Sequence, residues 1–237
     1  MKPYFIKKFK IRFSERIFDS FFGIFACMTE IEDIAIKLKN RLKLPLPGTL
    51  AHLKMASEFR LEELKAGYSF INAKKSSVLI LLYPNKDSIM FVLILRQNNG
   101  GVHGGQISFP GGAMEKADNN HYETALREAN EEIGINANKV KIIGSLTKLY
   151  IPPSNYLVFP VVGYLNSRPK LTPDPKEVAG IIEADLLSLI NTKSTNRKEV
   201  EVRGTKLNTP YYNINGYTVW GATAMILSEL IEVIKSS

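Results

Sequence analysis

Between Gly111 and Ile135 the chain reads GGAMEKADNNHYETALREANEEIGI, and this stretch constrains the fold more than any other. Arg127-Glu128-Ala129-Asn130-Glu131-Glu132 gathers three carboxylates within five residues. On a helix, residues three and four apart share a face, so Glu128 meets Glu131 and Glu132 while Ala129 turns toward the core. Three like charges on one face weaken a helix. That makes sense where divalent cations sit, because hard cations such as Mg²⁺ prefer carboxylate oxygens. Upstream, Phe109-Pro110-Gly111-Gly112 predicts a tight turn whose backbone carbonyls approach a ligand without side-chain obstruction. Gly134, just past Ile133, is the expected C-terminal stop of the helix. Together these features point to metal-assisted phosphate chemistry; the competing reading is a solvated acidic face.

The same residues resemble the Nudix box, G-x5-E-x7-R-E-U-x-E-E-x-G-U with U aliphatic. The second half matches as Arg127-Glu128-Ala129, Glu131-Glu132 and Gly134-Ile135. In the first half, five residues after Gly112 lead to Asp118 instead of Glu, and eight residues instead of seven separate it from Arg127. This expansion resembles the branch of the family that cleaves coenzyme A. So do the run from His103 to Gly112, Tyr150-Ile151-Pro152-Pro153-Ser154-Asn155, Pro173-Asp174-Pro175-Lys176-Glu177-Val178 and Trp220-Gly221-Ala222-Thr223-Ala224. The resemblance runs from about Leu46 to the end of the chain. It implies hydrolysis of the pyrophosphate of coenzyme A or its thioesters, giving 4′-phosphopantetheine and adenosine 3′,5′-bisphosphate.

Composition fits that reading without deciding it. At 237 residues, 45% hydrophobic and 23% charged, the chain is long enough for one domain with extensions. One cysteine, Cys27, excludes an intrachain disulfide and is compatible with a reducing compartment, so a cytoplasmic location is expected. Residues 1–28 carry +4 of the +8 net charge, interleaved with seven phenylalanines. No window there reaches the ~18 apolar residues of a membrane span. A late start at Met28 competes with a short targeting segment and with an amphipathic surface helix. The mild basicity suits an anionic small molecule as well as nucleic acid; no nucleic-acid motif is present, and a nucleotide-type small molecule is the expected partner.

Residues 29–75 read as an N-terminal helical extension and 76–237 as the main domain. Apolar spacing predicts helices over 30–42 and from Thr49 to Phe59. Ser77–Tyr83 and Ile89–Leu95 are strands of a hairpin turned by Pro84-Asn85-Lys86-Asp87. Further strands are expected over 139–149, 157–165 and 178–183, with minor ones at Val200–Val202 and Tyr211-Tyr212. A short helix over 185–190 and a long one from Thr218 to Ile234 complete the reading. Strands and helices mix without strict alternation, which points to an α/β/α sandwich around a mixed sheet.

Glu128 and Glu132, one turn apart, are the first candidates for direct Mg²⁺ or Mn²⁺ ligands. Glu131 is the next, either as a ligand or as the acceptor of a proton from water. Arg127 is expected to hold a carboxylate in place through its bidentate fork. The resemblance adds the Gly112 carbonyl as a ligand and Glu177 as a downstream base; an ordinary exposed loop glutamate is the equal alternative for Glu177. Arg96 is a candidate phosphate contact, since Arg binds phosphate bidentately, or else marks where a strand leaves the core. By resemblance His103 and Gln106 orient substrate, although Gly101 stands where relatives carry a basic residue. Tyr150, beside two prolines, is a candidate for shaping a pantetheine or adenine pocket. Trp220 reads as core or as an adenine stack, and Ser108 as a turn residue. Two rivals stand beside the coenzyme A reading: a pyrophosphatase for ADP-ribose or a dinucleotide, and a non-catalytic nucleotide sensor.

Overall fold

The computed structural model describes residues 30–66, 72–100, 103–191, 196–202 and 204–237; the leader 1–28 and Gly101 lie outside the described residues. The hairpin forms as β1 (Lys74–Asn85) and β2 (Ser88–Arg96), with Asn85 opposite Ser88. Its turn is tighter than expected. Only Lys86 and Asp87 lie outside the strands, with Lys86 at φ 54°, while Pro84 stays in β1. Two-residue turns with positive φ match the right-handed twist of the flanking strands, so the strands run closer to the tip.

Strand β1 pairs in parallel with β7 (Tyr156–Tyr164), and β2 pairs antiparallel with β8 (Val178–Asp185). The short strands β3 (Ile107–Ser108) and β4 (Gly111–Ala113) join β2 and β1, while β5 (Lys141–Ser145) and β6 (Leu149–Ile151) join β7. The predicted strand over 139–149 is interrupted because the Thr147 N–H turns away to the carboxylate of Glu229. The expected turn at Gly111-Gly112 is instead a strand, with Val78 opposite Gly111. A Cβ on Gly111 would lie 2.3 Å from the Ser77 carbonyl oxygen, so only glycine allows this pairing.

Both faces of this mixed sheet are covered, which is why β1 reads as a continuous apolar run. Leu79, Leu81 and Tyr83 join Ala125, Ala129 and Ile133 of α4 (His121–Ile133). Ile80 and Leu82 point the other way, to a core that holds α6 (Gly221–Lys235) and α1 (residues 30–41). The α/β/α sandwich read from the sequence is therefore the fold. The single helix expected from Thr49 to Phe59 is two, α2 (Thr49–Leu53) and α3 (Glu58–Ala66). The Ser57 hydroxyl accepts from the Arg60 N–H and starts the second. Helix α5 (Leu186–Asn191) follows β8 as expected. The minor strands extend to β9 (Asn196–Val202), β10 (Thr205–Ile214) and β11 (Tyr217–Trp220), a separate three-stranded sheet. Trp220 therefore ends a strand and caps α6 instead of lying inside it. No helix among the described residues is long and apolar enough to cross a membrane.

Candidate active site

Helix α4 starts where Asn120 accepts from the N–H groups of Tyr122 and Glu123, and stops at Gly134 in the left-handed conformation, φ 69°. These caps hold Arg127, Glu128, Glu131 and Glu132 in fixed rotational positions. Arg127 grips Asp118 with two nitrogens, Nε to Oδ1 at 3.1 Å and Nη2 to Oδ2 at 3.0 Å. Its Nη1 donates to Glu128 and Glu131, each at 3.0 Å, and Nη2 also reaches the Ala113 carbonyl. Asp118, which the family motif writes as Glu, is thus the anchor of the arginine. Hydrogen bonds from Arg127 hold its carboxyl down at about 2. The same pairing raises Arg127 above its ordinary value, so the fork stays charged.

Glu132 is buried, 1% exposed, and bridges three elements. It accepts from the Gly111 N–H at 2.7 Å and from Arg96 at 3.1 Å. Arg96, expected on a substrate phosphate, therefore sits at the end of β2 with a protein carboxylate. Burial pushes the Glu132 carboxyl up to about 7, against the pull of Gly111 and Arg96, and repulsion from Glu128 and Glu177 adds to the rise. Glu128 is raised too, by burial first, with repulsion from Glu131 and Glu177. Its carboxylate presses on Gly112, where a Cβ would come within 2.3 Å of an oxygen. Glu131 projects outward, 56% exposed.

Glu177 reaches this group from 45 residues downstream, as its repulsion of Glu128 and Glu132 shows. Its loop is stapled to the end of β2: Gln97 donates its N–H to the Glu177 carbonyl at 2.8 Å and its side-chain amide to the Pro175 carbonyl at 2.9 Å. Asp174 and Thr172 donate their N–H groups to the carbonyls of Glu132 and Ile133, tying the loop to α4 as well.

Arg96, Gly112, Glu177, His103 and Gln106 all line one cavity of about 980 Å³, together with Tyr150 and Trp220. His103 Nδ1 lies 3.2 Å from Gln106 Oε1, and the Tyr150 hydroxyl donates to Asn155 at 2.9 Å. Other parts of the cavity wall come from residues that sequence reasoning did not connect with the site. Met55, Phe59 and Arg60 enter from α3 and the turn before it, Leu207 from β10 and Met225 from α6. Arg60 donates to the Tyr150 carbonyl and to Glu63. No spacing signal connects residue 60 to residue 150, so only the folded chain could show them.

The donor chemistry here fits a divalent cation. Glu128, Glu131, Glu132 and the Gly112 carbonyl offer only oxygen; the carboxyls of Glu128 and Glu132 are raised first by burial, and repulsion among the neighbouring carboxylates adds to it. Among the described residues, no three acidic side chains or histidines converge on one point, because Arg127 draws Glu128 and Glu131 to itself.

A family model described as the NUDIX domain matches residues 73–201. The uncharacterized Nudix hydrolase NudL of Photorhabdus laumondii is 36% identical over 133 residues, 56% of this chain and 71% of its own length. Nudix hydrolase 15, mitochondrial, of Arabidopsis thaliana is 32% identical over 161 residues, 65% of this chain and 56% of its own length. This chain thus spans little more than half of the plant relative. A MutT/nudix family protein from Enterococcus faecalis superposes with a TM-score of 0.49 at 15% identity, over 76% of this chain and 70% of that one. With the family model spanning more than half of its residues, the chain belongs to the NUDIX domain family, whose members named here are Nudix hydrolases.

Proposed function

We propose that this chain hydrolyses the pyrophosphate bond of coenzyme A or its thioesters, giving 4′-phosphopantetheine and adenosine 3′,5′-bisphosphate. The observation that carries the reading is one cavity that runs from Glu177 and from Gly112, the glycine against which the Glu128 carboxylate packs, to an apolar wall at Met55, Phe59 and Met225. A diphosphate linking a nucleoside to a long chain needs both ends. At about 980 Å³ the cavity stands near the upper end of ordinary ligand sites, roughly 300–1,000 Å³. Residues 29–75 act in this proposal as an extension that serves the domain at 76–237, since they supply Met55, Phe59 and Arg60.

Glu128, Glu132 and Glu131 with the Gly112 carbonyl would hold Mg²⁺ or Mn²⁺. A bound divalent cation offsets diphosphate charge and lowers the pKa of water. Arg127, anchored by Asp118, keeps Glu128 and Glu131 from drifting apart. Glu177 takes the proton of the attacking water, with Glu131 as the other candidate base. Water oxygen attacks one phosphorus in line, the bridging P–O bond breaks, and the departing phosphate leaves with the electron pair. His103 and Gln106 orient the chain beyond the reacting atoms, and Tyr150 and Trp220 line the part that holds its base or pantetheine arm.

Incubation with coenzyme A and Mg²⁺, followed by mass spectrometry of the products, tests this. The two named products are expected. Rapid turnover of ADP-ribose with coenzyme A untouched would overturn the substrate assignment, and nucleotide binding with no hydrolysis of any diphosphate would make the chain a sensor.

A further inference from the structure

Three lysine or arginine residues line the cavity: Arg60, Arg96 and Lys176. Arg60 is paired with Glu63 at 3.1 Å, and Arg96 with Glu132 at 3.1 Å, so each already faces a protein carboxylate. Lys176 forms no ion pair among the described residues. It is nevertheless held in place. Its own N–H donates to Asp174 Oδ1 at 2.9 Å, and the carbonyls on either side, of Pro175 and Glu177, both accept from Gln97. Its neighbour Glu177 lies within electrostatic reach of Glu128 and Glu132. An unpaired cation on a stapled backbone, one residue from the carboxylate pole, is placed to meet an anion entering the cavity.

We propose that the Lys176 ammonium binds a phosphate group of the substrate, the role that sequence reading gave to Arg96. The inference rests on the cavity being the substrate site. An ammonium meets phosphate as a compact charge with three donors and needs no fixed fork geometry, which suits a residue on a rim. The phosphate has two sources in the substrate class proposed above: the diphosphate itself, or a further phosphomonoester on the nucleoside.

The test is Lys176→Met in the full chain, assayed with coenzyme A, 3′-dephospho-coenzyme A and ADP-ribose. KM is expected to rise about tenfold with kcat within about twofold of wild type, and Lys176→Arg is expected to restore most of the loss. A rise for every substrate hydrolysed assigns the contact to the diphosphate; a rise for coenzyme A alone assigns it to the further phosphate. Unchanged KM throughout, or a fall in kcat alone, overturns the proposal. Calorimetric titration with ADP and with adenosine 3′,5′-bisphosphate reads the same contact without turnover. If no diphosphate is hydrolysed, the activity reading fails, while about tenfold weaker binding of either ligand by Lys176→Met still upholds the role of Lys176 and equal binding rejects it.

Discussion

Glu229 and Glu132 are both buried glutamates, 0% and 1% exposed, yet their surroundings push them in opposite directions. Burial alone would raise Glu229, but hydrogen bonds from His52, Thr147 and Gly48 outweigh it and hold the carboxyl below its ordinary value. The contacts are close: His52 Nε2 at 2.9 Å, the Thr147 hydroxyl at 2.6 Å and the Gly48 N–H at 3.1 Å. They tie α2, the stretch between β5 and β6, and α6 into one unit. At Glu132 burial outweighs its two donors, Gly111 and Arg96, repulsion from Glu128 and Glu177 adds to it, and the carboxyl rises to about 7. A satisfied buried charge marks architecture. A crowded one marks a place where the fold tolerates negative charge that something else must neutralise.

That contrast can be broken by mutation. Glu128→Gln, which keeps the shape and removes one charge from the crowded group, should lower kcat on the order of 10³-fold with little change in unfolding free energy. Steady-state kinetics beside urea denaturation checks both halves, and full activity would remove Glu128 from the site. Glu229→Ala should do the reverse. It leaves His52, the Thr147 hydroxyl and the N–H groups of Gly48 and Thr147 without their acceptor, destabilising the fold by about 3–5 kcal/mol while the folded fraction keeps its kcat. A denaturation midpoint within error of wild type would show that the network does not secure the helical extension.

Smaller effects sharpen the comparison. Glu177→Gln should reduce kcat about 10²-fold at constant KM if it is the base, and an unchanged kcat would pass that role to Glu131. Acid stability provides the last probe. Because folding lowers the Glu229 pKa, its contribution is complete above the unfolded value and is lost as pH falls through the lower folded value. The stability of Glu229→Gln should therefore decline less steeply than wild type below about pH 4.5. Parallel acid limbs in urea titrations at several pH values would count against the assignment.

Much of this was legible in the residues. The acidic helix declared itself because α-helical geometry is local: spacing alone puts Glu128 and Glu132 one turn apart, and Gly134 ends the helix by its own conformational freedom. The hairpin and the covered sheet followed from apolar runs of strand length. Less legible were segments whose shape depends on a remote partner. Thr147 interrupts a predicted strand because Glu229, 82 residues away, takes its N–H. Gly111 is a strand residue because Val78 lies opposite it and the Ser77 carbonyl leaves no room for a side chain.

By itself, then, the sequence carried the resemblance to the family motif and, through short-range periodicity and capping, determined the sandwich and the identity of the acidic cluster. Tertiary structure alone decided that Arg96 faces Glu132, that Glu177 shares their field and that Arg60 and Phe59 wall the same cavity. Those pairings join residues far apart along the chain, and side-chain chemistry selects a partner only after the backbone has brought the two within reach.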